Sequence, residues 1–177
     1  MTESPELHNS GQVFEGKYEL LERLGSGGVG TVFKARQLDY NRIVAIKILH
    51  EHVSEDVEFK ARFLREAQTL SKLSHPNIVS VYHLGQTDAG ELFIVMEFIE
   101  GRPLNLLLSE KEKLPANEAI AITRDLARGL AQVHEQNIVH RDLKPGNIVI
   151  SNTPQLNTPK IIDFGLARVK ASGGQKL

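Results

Sequence analysis

The octapeptide at positions 140–147 combines residue types that are suited to one kind of chemistry. Its sequence is His-Arg-Asp-Leu-Lys-Pro-Gly-Asn, and a later triplet, Asp-Phe-Gly, begins at Asp163. Asp142 is suited to accept a proton from a hydroxyl, and Lys144 to neutralise charge on a phosphoryl group. Asn147 and Asp163 offer the oxygen ligands that Mg2+ prefers. The set predicts phosphoryl transfer to a hydroxyl, although each residue type also occurs in ordinary turns.

A glycine-rich segment lies near the N-terminus, where positions 25–30 read Gly-Ser-Gly-Gly-Val-Gly. In dinucleotide-binding folds this spacing leads into a helix, with an acid about twenty residues further on. Here it leads into the strand pattern 31–35, and the nearest acid is Asp39. The sequence therefore favours a glycine-rich hairpin that closes over a triphosphate. An ordinary glycine turn is the alternative.

Lys47 lies on a strand pattern and shares a face with Ala45 and Leu49, because side chains alternate along a strand. A cation among apolar neighbours needs a partner. The helix predicted next offers Glu66 and Glu58, and Glu66 is the better match. A solvent-exposed lysine is the alternative.

The hydrophobic periodicity predicts a strand-rich first half and a helical second half. A helix is expected to begin at Ser54, where acids follow, and to end near Leu73. A second helix is expected from Ala116 to His134, after Pro115. The predicted strands are residues 18–24, 31–35, 42–49, 78–84, 91–98, 148–150 and 161–162.

Composition excludes several classes of function. The 177 residues carry 21 basic and 22 acidic side chains, which gives no electrostatic case for nucleic acid or an anionic membrane. The chain has no cysteine, so disulfides and thiolate catalysis are excluded. Residues 1–16 are polar and acidic, unlike a signal peptide, and are expected to be a flexible leader. No apolar run is long enough to cross a bilayer, so we expect a cytoplasmic chain without a membrane segment.

These motifs together resemble a protein kinase of the serine/threonine type, similar to bacterial members of the family. The matching segments are GSGGVG, VAIK, Glu66, HPNIV, MEF, HRDLKPGN and DFG, between Tyr18 and Arg168. The resemblance implies an α+β, bilobal fold. Its N-lobe, residues 17–98, would be a five-stranded antiparallel sheet with one helix. Residues 99–177 would begin a mainly helical C-lobe.

The resemblance also implies roles for individual residues. Asp142, Lys144 and Asn147 would be the catalytic residues, with Asp142 as the base, and Asn147 and Asp163 would bind Mg2+. Lys47 would hold the phosphates of ATP and pair with Glu66. The implied ATP-binding residues are Leu24, Gly25, Ser26, Gly27, Gly28, Val29, Gly30, Thr31, Val32, Ala45, Lys47, Glu66, Met96, Glu97, Ile99 and Val149. Packing between the lobes is implied for Leu70, Val81, His140 and Phe164, and binding of a phosphorylated activation loop for Arg141.

The family pattern continues to an Ala-Pro-Glu motif, whereas this sequence ends at Leu177 soon after Asp-Phe-Gly. We therefore expect a domain truncated in its activation segment. Two functions stay open. One is ATP-dependent phosphorylation of serine or threonine in a protein substrate. The other is a non-catalytic remnant that binds nucleotide or pairs with another kinase. The full His-Arg-Asp-Leu-Lys-Pro set argues against a small-molecule phosphotransferase.

Overall fold

The computed structural model describes residues 9–54, 57–152 and 158–164, apart from the side chain of His52. The chain divides into two compact units. The first unit comprises Met1–Val57 and Tyr82–Phe98, and the second comprises Glu58–Val81 and Ile99–Leu177. In the described parts of the chain, no helix combines the length and apolarity that crossing a membrane requires.

The described residues of the first unit build one sheet of six strands. The strands are β1 (Val13–Phe14), β2 (Tyr18–Ser26), β3 (Gly30–Gln37), β4 (Arg42–Leu49), β5 (Val81–Gln86) and β6 (Leu92–Glu97). Their order is β1-β2-β3-β4-β6-β5, and neighbours from β1 to β6 are antiparallel. Branched residues such as Ile43, Val44 and Ile46 favour the extended conformation of β4.

The predicted sheet of five strands was wrong by one, because in the described residues β1 adds a sixth. This strand lies in the stretch expected to be a flexible leader. Glu15 and Gly16 both have positive φ and reverse the chain, so that Phe14 pairs with Tyr18. Phe14 is buried, and its ring lies edge-on to Phe93 at 4.9 Å. Two residues are too few to show a strand period in the sequence.

One face of this sheet is the hydrophobic core of the first unit. Phe33, Ile46 and Val95 lie opposite one another across β3, β4 and β6, and each is at most 3% exposed. Burying a side chain of this size contributes about 1.5–3 kcal/mol. The core therefore fixes the register of these strands, since a shift of one residue would turn it to the other face.

Ser54 does not begin a helix, so that prediction was wrong. It is the last residue of α1 (Glu51–Ser54), and its buried hydroxyl accepts the backbone N–H of Leu92 at 3.2 Å. The next helix, α2 (Val57–Leu70), ends three residues before the predicted Leu73. Its apolar stripe is as predicted, with Phe59, Phe63, Ala67 and Leu70 buried.

The second unit contains further helices and a small sheet. It includes α2 from Glu58 onward. Its other described elements are β7 (Gly101–Pro103), α3 (Leu104–Lys111), α4 (Ala116–Glu135), a 3-10 helix (Pro145–Asn147), β8 (Ile148–Ser151) and β9 (Pro159–Ile161). The prediction of α4 is confirmed, whereas β7 and α3 were not predicted. Gly101 had been interpreted as a break, but it lies in β7, where a Cβ atom would collide with the carbonyl oxygen of Ile150.

Asn77 anchors the segment after α2 to this small sheet. Its side-chain Nδ2 donates to the carbonyl of Pro159 at 2.8 Å, and its own carbonyl accepts the N–H of Ile161 at 2.9 Å. Gly129 of α4 packs nearby, since a Cβ there would lie 3.1 Å from Ile78. These contacts hold α4 and β9 against the segment that follows α2.

Gly30 is a hairpin glycine that the fold itself requires. It faces Leu49 across β3 and β4, and a Cβ atom would collide with the carbonyl oxygen of Ile48. We expect Gly30→Ala to lower the free energy of unfolding by about 1–3 kcal/mol, because the β4 backbone must shift. Gly27→Ala is the matched control, since a Cβ there meets no atom within 4 Å. Equal midpoints of the two variants in urea unfolding would contradict this requirement.

Candidate active site

The segment between α4 and β8 is held by two buried side chains. Ile138 is 5% exposed and His140 is 3% exposed, whereas Val139 between them points outward. The ring of His140 lies 4.9 Å from that of Phe164. This alternation anchors the backbone immediately before Asp142.

His140 is a buried packing residue that also makes polar contacts. Burial lowers the pKa of its imidazole, against the opposing effect of the Asp163 and Asp142 carboxylates. The ring accepts the N–H of Asp142 through Nδ1 at 3.3 Å. The same N–H also donates to the His140 carbonyl at 2.9 Å. The backbone of Asp142 is therefore fixed by the residue two positions before it.

The carboxylate of Asp142 is held by two other residues of the octapeptide. Lys144 Nζ lies 2.8 Å from Asp142 Oδ2. The side-chain Nδ2 of Asn147 donates to the Asp142 carbonyl at 2.8 Å and to Oδ2 at 3.3 Å. The 3-10 helix makes this possible, because it returns the chain towards Asp142 within three residues. The structure thus brings these three predicted catalytic residues together.

Glu66 pairs with a residue that the sequence did not indicate. Its Oε1 accepts from Arg141 Nη1 at 3.1 Å, and the Glu66 side chain is only 11% exposed. Arg141 has a φ of 61°, which costs an L-residue about 1–2 kcal/mol. A hydrogen bond to a charged group contributes about 1.5–3 kcal/mol, enough to offset this strain. Arg141, predicted to bind a phosphorylated residue, is here an ion-pair partner of α2.

Asn147 and Asp163 fit the oxygen ligands expected for Mg2+. The amide nitrogen of Asn147 is directed to Asp142, so the amide oxygen is the atom of that side chain suited to a cation. The Asn147 carbonyl accepts the N–H of Ile162 at 3.0 Å, which places Asp163 next to it along the chain. Among the described residues, no three His, Cys, Asp or Glu side chains cluster as a metal site. Two protein ligands agree with a Mg2+ ion whose shell is completed by phosphates and water. Gly165, the last residue of the Asp-Phe-Gly triplet, lies outside the described residues.

In the first unit, several predicted ATP-binding residues share the sheet face opposite the core. Lys47 of β4 lies between Val32 of β3 and Ile94 of β6, and Met96 pairs with Ala45 two residues away. Lys47 is half-buried in this apolar setting. The register thus agrees with the face predicted for Lys47 from the alternation of β4.

The predicted glycine-rich hairpin joins β2 and β3. Ser26 pairs with Thr31, and the N–H of Gly27 donates to the carbonyl of Gly30 at 3.0 Å. A register shift between Arg23 and Gly25 makes Leu24 the extra residue of a β-bulge. Leu24 is 44% exposed. The bulge accounts for an apolar side chain that faces solvent just before the hairpin.

Three further predicted residues are Glu97 at the end of β6, Ile99 between β6 and β7, and Val149 in β8. Glu97 closes β6 opposite Val44, in the first unit. Ile99 and Val149 belong to the second unit, where Val149 is buried in β8. Their role in binding ATP stays a prediction.

Comparison with known proteins identifies the family. A model of the protein kinase domain matches residues 18–176. The serine/threonine-protein kinase PrkC of Bacillus subtilis is 41% identical over 162 residues, covering 92% of this chain and 24% of PrkC. PknB of Mycobacterium tuberculosis is 42% identical over 164 residues, covering 91% of this chain and 26% of PknB. The crystal structure of the M. tuberculosis PknI kinase domain has a TM-score of 0.80 at 30% identity, covering 91% of this chain and 62% of that one.

The chain therefore belongs to the protein kinase family. Within that family, the relatives named above are bacterial and of the serine/threonine type. The predicted family and the predicted α+β kinase fold are confirmed. The chain spans about a quarter of the length of the curated relatives that it matches.

Sequence reasoning missed two contacts that shape the site. The Glu66–Arg141 pair joins residues 75 positions apart, and it depends on a backbone angle that no local pattern reveals. The bonds of Asn147 to Asp142 were also missed, because Asn147 was considered as a catalytic residue and a metal ligand but not as a partner of Asp142. An amide close in sequence to a carboxylate was the available signal, since Asn and Asp side chains often form hydrogen bonds within a local turn.

We expect loss of the Glu66–Arg141 pair to destabilise the chain. Arg141→Met leaves the Glu66 carboxylate buried without this partner and should lower the free energy of unfolding by about 1–3 kcal/mol. Arg124→Met is the matched control, because Arg124 forms an exposed pair with its neighbour Asp125 and should change stability little. Urea unfolding measures both. Arg141→Met that unfolds at the wild-type midpoint would show that the pair contributes nothing.

Proposed function

We propose that this chain is the ATP-binding and phosphoryl-transfer part of a protein serine/threonine kinase. It would transfer the γ-phosphoryl group of ATP to a serine or threonine hydroxyl of a protein. The observation that carries the proposal is the geometry around Asp142, whose carboxylate is held by Lys144 at 2.8 Å and Asn147 at 3.3 Å. The names of its relatives support the acceptor class.

Asp142 is suited to the role of proton acceptor. Its side chain is 18% exposed, so it is accessible to a substrate hydroxyl while its backbone is fixed by His140. As the hydroxyl oxygen bonds to the γ-phosphorus, its proton passes to Asp142 and ADP departs. Fixing the carboxylate in advance lowers the entropic cost of reaching the reactive geometry.

Lys144 supplies positive charge at the same place. Its side chain is 55% exposed, which leaves the ammonium group able to contact both Asp142 and a phosphoryl oxygen. Asn147 and Asp163 would hold Mg2+ together with ATP. Bound there, Mg2+ would offset negative charge on the phosphates. The chain's own contribution is to orient these oxygen ligands through the bonds of Asn147 to Asp142 and Ile162.

The glycines of the hairpin support phosphate binding. Gly30 is explained by its packing against β4, but a Cβ at Gly25, Gly27 or Gly28 meets no atom within 4 Å. No positive φ is recorded for these three glycines, so neither packing nor backbone conformation requires glycine there. Close approach of a ligand to the backbone is the remaining physical reason for glycine. The N–H groups of such a hairpin are suited to phosphate oxygens.

The catalytic role of Asp142 is tested by replacing its carboxylate with an amide. Asp142→Asn should reduce transfer of labelled phosphate from ATP to a protein acceptor by about 10²–10⁴-fold, because the amide cannot accept the proton. ATP affinity, measured by titration, should change little. Asp88→Asn, in the exposed turn before β6, is the matched control.

The outcomes separate the two functions left open by the sequence. Transfer by the wild-type chain that Asp142→Asn abolishes supports the kinase. Nucleotide binding without transfer by the wild-type chain supports a binding module instead. Undiminished transfer by Asp142→Asn would overturn the proposed role of this residue.

A further inference from the structure

His50, the residue after β4, contacts the glycine-rich hairpin through its backbone and its side chain. Its backbone N–H donates to the carbonyl of Val29 at 2.9 Å. Its ring Nε2 lies 3.4 Å from Thr31 Oγ1. Any residue except proline can make the backbone bond, whereas the second contact needs a side chain that forms hydrogen bonds. The side-chain contact with Thr31 therefore depends on which residue occupies position 50.

Thr31 extends this contact to the opposite strand of the hairpin. Thr31 and Ser26 face each other in the register of β2 and β3, and their hydroxyl oxygens are 3.0 Å apart. A hydroxyl both donates and accepts, so Thr31 can bond to both neighbours with either tautomer of the imidazole. The side chain of His50 is thus linked through Thr31 to both strands at the base of the hairpin.

The carbonyl of His50 is fixed to the body of the first unit. It accepts the backbone N–H groups of Val53 at 3.0 Å and Ser54 at 3.2 Å. The Ser54 hydroxyl in turn accepts the N–H of Leu92, a fully buried residue of β6. A continuous series of hydrogen bonds therefore runs from β6 to the hairpin. Its members are Leu92, Ser54, His50, Thr31 and Ser26.

We propose that His50 is a positioning residue for the nucleotide phosphates, acting through Thr31 on the glycine-rich hairpin. The inference rests on the proposed function, since it assumes that the hairpin binds ATP. Gly27 and Gly28 have open space where a side chain would lie, so packing does not restrain the hairpin tip. Ordering such a segment on a ligand is entropically costly, and a fixed base lowers that cost.

The test compares two replacements of His50 in the 177-residue chain. His50→Leu removes the contact to Thr31 and should raise the dissociation constant for ATP about three- to tenfold, the effect of one hydrogen bond. His50→Gln places an amide near the position of Nε2 and should restore most of the affinity. His83→Leu, at an exposed position of β5, is the matched control and should bind ATP as the wild type does.

A double-mutant comparison tests whether His50 acts through Thr31. Thr31→Val keeps the shape of the side chain but removes the hydroxyl. If the two residues act through their contact, His50→Leu combined with Thr31→Val should bind ATP no more weakly than the weaker single variant. Fully multiplied effects would overturn the proposed route. If His50→Leu fails to fold, His50→Ala, which also removes the contact to Thr31, replaces it in this comparison.

A readout without nucleotide separates this inference from the proposed function. The N–H of Gly27 is bonded to the Gly30 carbonyl, so its hydrogen exchange reports opening of the hairpin. We expect faster exchange at Gly27 in His50→Leu, with a melting temperature no lower than that of His83→Leu. A wild-type chain that binds no ATP would defeat the proposed function and, with it, the role in positioning phosphates. Unchanged Gly27 exchange together with unchanged ATP affinity in His50→Leu would overturn the role of His50 alone.

Discussion

The burial of His140 is the interaction on which the candidate active site depends. The ring packs against Phe164 and accepts the N–H of Asp142, so a side chain inside the second unit helps to fix the position of Asp142. An exposed histidine at this position would be partly charged at neutral pH and would not fix its neighbour in this way. The remaining contacts of the loop refine that placement. Lys144 and Asn147 orient the carboxylate, and the 3-10 helix returns Asn147 to it.

The two faces of the sheet in the first unit differ: one forms the hydrophobic core, and the other carries Lys47. The period of two along β4 sends Val44 and Ile46 to the core and Ala45 and Lys47 to the other face. The core face makes a change of register unfavourable, and it therefore also fixes which residues accompany Lys47. The glycine-rich hairpin extends from this rigid part. Its glycines fall into two groups: packing accounts for the absence of a side chain at Gly30, but not at Gly25, Gly27 or Gly28.

Long, periodic elements could be predicted from the sequence, because their information is local. The alternation of β4 and the apolar stripe of α4 are examples. The wrong predictions concern elements that are too short to show a period, or residues whose contacts are distant in sequence. β1 is too short to show a period, and Ser54 has the residue type of a helix cap while its hydroxyl bonds to Leu92 of a distant strand. Asp142 and Asn147 were found by type and spacing, but their mutual contact required the turn of the 3-10 helix.

Glu66 shows how a residue remote in sequence can influence the site without touching a substrate. Its carboxylate is almost wholly withdrawn from water, so separating it from Arg141 would leave a poorly solvated charge. That penalty helps to keep Arg141 at its positive φ, which an isolated peptide would rarely adopt. Arg141 and Asp142 are joined by one peptide bond, so a change of φ and ψ at Arg141 would reorient the backbone that His140 and Asn147 bind. The ion pair and the position of Asp142 are therefore mechanically coupled, and α2 contributes to the geometry of Asp142 through Arg141.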